Sequence, residues 1–320
     1  MIERVGLDRW RQFDAAHPAP TFFARPAWAI SLAEIYPGLT PVLLHIEPRD
    51  GAPVLLPALE QTGSLGLRHF AGFPLGGYTC FLREDGSVAS AQQATAVLRD
   101  LAQFAHSLEI VPWPLAPAPQ CDAQITHHTA VVDLRDGIDC ALARVGGTFR
   151  RMAGQAQRRG VVCAPVSGDD AVETYYALLC ESAKRWGIPE PVERRVLIEA
   201  LVRYGGTDVE IWFARADGRA IAGGVVFYGA EEFFFWSAAM LAEFGRLRPS
   251  NALNFALLHA AAKRGMSWYN LGSSDGLPGV AHFKKDLGAR DVSYAQIELA
   301  QTPVRVARAL RDAVIRRMTG

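Results

Sequence analysis

Residues 268–288 read Trp268-Tyr-Asn-Leu-Gly-Ser-Ser-Asp-Gly-Leu-Pro-Gly-Val-Ala-His-Phe-Lys-Lys-Asp-Leu-Gly288. The stretch opens as a short apolar strand, Trp268 to Leu271. It continues into a loop punctuated by Gly272, Gly276, Pro278 and Gly279, and leaves through His282, Phe283, Lys284 and Lys285. Glycines at a strand end let the backbone turn sharply and come close to a ligand. The chain has four lysines among its 33 basic residues, and two of them stand side by side here. A scarce residue doubled beside a glycine-rich loop points to a cationic site. The plainer reading is a solvated pair at a helix start.

At 320 residues the chain exceeds a typical single core, so two domains are expected. Half of it is hydrophobic and 21% is charged, which suits a globular protein, and the formal net charge is zero. Zero net charge argues against a broad nucleic-acid-coating surface and against double-stranded DNA as a partner, while leaving room for a local basic patch. The five cysteines are odd in number, widely spaced and lack any CxxC, which fits a reducing cytoplasm better than a disulfide framework or a zinc site. No run reaches the ~18 apolar residues of a membrane span, so no stable membrane insertion is expected.

Periodicity and turn residues predict short helices near Leu7 to Ala15 and from Pro26, then a hairpin of Thr40 to Ile46 with Pro53 to Leu59. His69 to Leu82 is read as strand and loop, Ser90 to Ser107 as a helix, and Glu109 to Trp113 as a strand. The second half begins with a strand at His127 to Leu134 and one basic helix over Ile138 to Gly160. Gly146, Gly147 and Gly154 weaken that helix by about 1 kcal/mol each relative to alanine. Then follow a strand at Val161 to Val166, helices over Asp169 to Trp186 and Val192 to Tyr204, and strands at Val209 to Ala214, Ala220 to Tyr228 and Glu232 to Ala239. A helix over Pro249 to Lys263 is stopped by Gly265. A strand at Val292 to Leu299 and a basic helix at Pro303 to Met318 close the chain. The order helix, helix, strand, strand, strand, helix, strand occurs twice, which implies two similarly built α+β domains, taken as residues 1–136 and 137–320.

Four pieces of the second half resemble one family. They are Phe149-Arg-Arg-Met-Ala-Gly-Gln-Ala-Gln-Arg-Arg-Gly160 before a strand, Arg215-Ala-Asp-Gly-Arg-Ala-Ile-Ala-Gly-Gly224, the helix from Pro249 to Gly265, and Tyr269-Asn-Leu-Gly272 with Phe283-Lys284 and Gly288. In that order they resemble the FemAB-type proteins, tandem acetyltransferase-fold enzymes that include peptidoglycan-bridge aminoacyltransferases. In the first half only Gly72 to Tyr78 is similar to the family's substrate-facing loop, and the family's central helical hairpin is absent. The resemblance implies two tandem GNAT-like domains, each a mostly antiparallel mixed sheet flanked by helices. It implies an acyltransferase acting on an amine, and it maps the family's acyl-proximal lysine onto Lys284.

Aminolysis of an ester or thioester needs alignment, oxyanion stabilisation and a neutral amine. Lys284 is the candidate for the oxyanion or for an RNA phosphate. His282 and Asp275 are candidate bases, set against packing beside Phe283 and capping of the loop. Gly272, Ser273, Ser274, Phe283 and Lys285 are expected to line the substrate, with Gly77 and Tyr78 from the first half. Tyr78 and Trp186 are groove candidates that ordinary packing also explains, and Phe233 to Trp236 is read as a buried strand.

Two donors compete. The turn Gly245-Arg-Leu-Arg-Pro-Ser-Asn251, where an acyl-CoA pyrophosphate would sit, has one glycine, and Pro249 lacks an N–H. Arg248 and Arg246 can compensate in part. Arg150, Arg151, Arg158 and Arg159 can meet the phosphates of an aminoacyl-tRNA, or form a solvated helix face. Aminoacyl-tRNA is therefore the expected co-substrate and acyl-CoA the alternative, with a small amine or an envelope precursor as acceptor. No tightly bound cofactor or metal is expected. A silent binding protein of the same fold is the competing class.

Overall fold

The computed structural model describes residues 1–62, 67–72, 75–121 and 124–301. The helix expected at Pro303 to Met318 lies outside them, as do Phe73 and Pro74. In chain order the elements are β1 (Ile2–Val5), α1 (Leu7–Ala16), α2 (Pro26–Ile35), β2 (Leu39–Ile46), β3 (Val54–Thr62), β4 (Arg68–Ala71), α3 (Ala91–Phe104), β5 (Ser107–Ile110) and β6 (Gln124–Asp133). There follow α4 (Ile138–Arg144), α5 (Gly147–Arg158), β7 (Val162–Val166), α6 (Asp169–Arg185), α7 (Arg195–Gly205), β8 (Val209–Ala216), β9 (Arg219–Tyr228), β10 (Glu232–Met240), α8 (Pro249–Lys263), β11 (Trp268–Asn270), α9 (Pro278–Asp286) and β12 (Arg290–Ala300). The run strand, helix, helix, three strands, helix, strand occurs from β1 to β5 and again from β7 to β11. The repeat anticipated from element order is present, with an opening strand that the sequence reading missed in the first copy.

The chain divides into two units. One comprises residues 1–18, 23–127 and 294–320, and the other residues 19–22 and 128–293. In the first, the strand order is β1-β2-β3-β4-β5, completed by residues 297–300 of β12 antiparallel to β5. Its core holds Leu44, Leu56, Phe70, Leu108 and Ile110 against Val97 and Leu101 of α3. Ser90 starts α3 with a capping box, its hydroxyl accepting from the Gln93 N–H while the Gln93 side chain accepts from the Ser90 N–H.

In the second unit residues 131–133 of β6 run antiparallel to β11, and the order continues through β10, β9, β8 and β7. One face of this sheet carries α5 and α8. There Trp212, Ala214 and Ala216 share a core with Phe149, Leu253, Leu257 and Ala261. The opposite face carries α6, whose Tyr175 donates a hydrogen bond to Ser237 on β10. The long basic helix read over Ile138 to Gly160 is two helices. Gly146 breaks it, because its N–H donates to the Asp286 carbonyl and a Cβ there would stand 3.3 Å from that oxygen. Among the described residues no helix is long and apolar enough to cross a membrane.

Candidate active site

The second unit opens where two parallel strands part. β10 and β11 pair only over Glu232–Phe234 and Trp268–Asn270, yet β10 runs on to Met240. Beyond Phe234, β10 keeps β9 on one side, through a bulge between Phe235 and Ser237, and has no paired strand on the other among the described residues. The split is filled by a cavity of ≈ 490 Å³ lined from both faces of the sheet. Ser250, Leu253 and Asn254 of α8 contribute from one side and Arg185 and Trp186 at the end of α6 from the other, with Phe235, Trp236 and Met240 along β10.

The loop after β11 and helix α9 close this cavity. Asn270 is fully buried and holds the loop's first turn. Its Oδ1 accepts from the Thr129 hydroxyl (2.6 Å) and the Gly272 N–H (2.9 Å), while its Nδ2 donates to Glu232 (2.7 Å). Gly272 turns with φ +71°, a conformation that costs an L side chain strain. The chain then returns as α9, where Phe283, Lys284 and Leu287 fall on the inward face at helical spacing.

Lys284 occupies a position where an amphipathic helix normally places an apolar residue. It is only 8% exposed, and its Nζ donates to the carbonyls of Gly272 (3.0 Å) and Ser273 (2.5 Å). An ammonium has three donors, so one N–H remains beyond these two bonds. Burial lowers the Lys284 pKa to about 8, because a desolvated cation is disfavoured, and the nearby Asp275 and Asp291 carboxylates oppose the shift.

The cavity brings together Lys284, Phe283, Ser273, Ser274 and Asp275 from the expected set. Gly272 supplies a carbonyl to Lys284 from just behind it. Asp275 is held at φ +46°, and its N–H donates to the Ser273 hydroxyl (3.0 Å). His282 does not join them. Its side chain is 75% exposed on the outer side of α9, 3.5 Å from Asp286, and Lys285 is likewise exposed. Arg150 and Arg151 are exposed on α5, and Arg248 is exposed in a left-handed conformation at the start of α8. Gly77 and Tyr78 are buried in the first unit, with the Tyr78 ring edge-on to Phe23 and Tyr294. Trp186, for which packing was the simpler expectation, is 57% exposed and lines the cavity. Trp236 does not simply fill a buried strand, since the bulge brings it to the cavity wall.

The paired glycines that end the Arg215 to Gly224 motif have a packing reason in β9. A Cβ on Gly224 would stand 2.1 Å from the Phe235 ring and 2.8 Å from the Ser237 carbonyl. Glycine there leaves room for the Phe235 ring to lie against β9 where it lines the cavity. Gly224→Ala is expected to destabilise the fold by about 1–3 kcal/mol and to raise the KM for the donor as the ring moves inward. A melting curve with donor kinetics checks both effects, and an unchanged KM would show that the ring does not border the donor.

With this geometry in view, residues 143–285 match the family model described as an acetyltransferase (GNAT) domain. The fold is similar to the crystal structure of FemX, at TM-score 0.66 and 11% identity over 93% of this chain and 97% of that one. It is also similar to the C-terminal domain of a putative lysylphosphatidylglycerol synthetase from Agrobacterium fabrum, at TM-score 0.56 and 12% identity over 97% and 95%. L-PGS from Bacillus licheniformis aligns at TM-score 0.52 and 12% identity over 97% of each chain. No curated protein sequence matches the chain. The split between β10 and β11, the α8 start beside it and the family match coincide within one unit. The chain therefore has the GNAT fold, and its residues 143–285 match the acetyltransferase (GNAT) domain family.

Proposed function

We propose that the protein is an N-acyltransferase that passes an aminoacyl group from aminoacyl-tRNA to an amine, with the reacting carbonyl in the cavity beside Lys284. The observation that carries this reading is the buried ammonium fixed by two loop carbonyls with one donor to spare. A buried cation held in place stabilises a developing oxyanion without reorganising during the reaction. Asp275, on the same wall, can pair with the α-ammonium of an aminoacyl group.

Two features support a tRNA donor. The turn before α8 spends amides internally, with Phe244 N–H donating to Leu241 and Arg248 N–H to Gly245, and Pro249 has none to give, so a pyrophosphate finds a poor cradle. Arg159, just past α5, donates to the Arg246 carbonyl (2.6 Å) and with the exposed Arg246 and Arg248 makes a local basic surface beside α8. Acyl-CoA is the second reading, favoured by the open edge of β10, which can pair with an extended amide-bearing arm. Incubating the protein with charged tRNA or with acyl-CoA, each with an amine, tests the choice. Amine-dependent deacylation of the tRNA is expected. Consumption of acyl-CoA alone moves the assignment to the second donor, and inertness toward both overturns the enzyme reading.

A further inference from the structure

Exposed large apolar side chains are few among the described residues, and half of them lie on one cavity or on the loop that leads from it. Trp186, Leu277 and Val280 line the cavity, and Ile188 and Val192 follow Trp186 on the loop between α6 and α7. Scattered apolar residues are ordinary on a surface, but three exposed apolar side chains lining one cavity mark what the cavity takes. The loop is anchored, since Ser237 on β10 accepts from the buried Tyr175 hydroxyl (2.7 Å) and donates to the Glu193 carboxylate (3.0 Å). Arg185 secures the end of α6 by donating to the Met240 carbonyl (3.1 Å).

The two ends of the cavity differ in character. On the α8 face the surroundings are basic, with Arg246 and Arg248 at the helix start, matching the phosphates of a donor. The end of α6, on the other face, presents Trp186 and its apolar neighbours. Asp275 lines the cavity from its exposed edge, between the two.

We infer that the acceptor is an amine borne on a hydrocarbon body, which the apolar rim covers while the nitrogen reaches the cavity. This rests on the acyl-transfer reading above and names the acceptor class for that same site.

Titration calorimetry of the full chain with a series of n-alkylamines from ethylamine to decylamine tests it. Affinity is expected to rise by up to about fourfold per added methylene while the chain lies on the rim, and the slope to flatten in Trp186→Ala, whose exposed side chain can be removed without opening the core. A wild-type affinity independent of chain length, or an unaltered slope in the variant, overturns the inference. Co-sedimentation with phosphatidylcholine vesicles containing a long-chain amine separates two sources of such a chain. Pelleting assigns it to a bilayer lipid and binding of the free amine alone to a soluble amphiphile, and either outcome supports the rim. A chain-length slope without consumption of any donor leaves the rim in place and sinks the enzyme reading. Donor consumption without a slope does the reverse.

Discussion

Lys284→Met is expected to lower kcat by about 10²- to 10³-fold, the range found when one donor to an oxyanion is removed, with little change in melting temperature. Methionine keeps an unbranched stem at this buried position and loses only the ammonium. The carbonyls of Gly272 and Ser273 then turn to water, which Ser273, at the exposed edge of the loop, admits. The same cation sets a pH dependence. Lys284 is charged below its pKa of about 8, so a rate that needs the cation is full below that pH and falls as pH rises through it. Neutralisation of the acceptor amine acts in the opposite direction, giving a bell whose alkaline limb is absent from the residual activity of the methionine variant. A variant with wild-type kcat would reduce Lys284 to a staple for its loop.

Asn270→Ala carries the second large effect. It strips a partner from three groups at once: the Thr129 hydroxyl, the Gly272 N–H and the buried Glu232 carboxylate. Buried polar groups left unsatisfied cost about 1–3 kcal/mol each, so a loss of about 3 kcal/mol or more is expected in denaturant unfolding. Activity should fall further than the unfolded fraction explains, because Gly272 begins the loop whose carbonyls position Lys284. A stability loss with unchanged kcat would show that the loop holds its shape without Asn270.

Much of the second unit was legible because its elements are punctuated by their own chemistry. Pro249 in the first turn and Gly265 past the end mark the bounds of α8, and apolar runs separated by turns such as Ala216 to Arg219 mark β8 to β10. Helix α9 was read as loop, since Pro278 and Gly279 open it and its inward face carries a lysine among apolar neighbours. That lysine at a core position is the observation on which the proposed role of Lys284 rests. Gly146 could not be recognised as a break, because what requires it is the carbonyl of Asp286, 140 residues away in sequence. The cavity walls were hidden for the same reason. Trp186, Phe235 and Asn254 meet only through the parting of β10 from β11, and neither strand's composition encodes where pairing stops. His282 attracted notice by proximity in sequence, but two residues along a helix from Lys284 rotate a side chain by about 200° and turn it to solvent.

A structure of the protein with a non-hydrolysable analogue of its acyl donor tests the central claim most directly. The analogue's carbonyl oxygen, or the atom that replaces it, is expected between β10 and α9, about 2.7–3.2 Å from the Lys284 Nζ. A donor bound elsewhere, or one whose carbonyl faces away from that ammonium, would contradict the account.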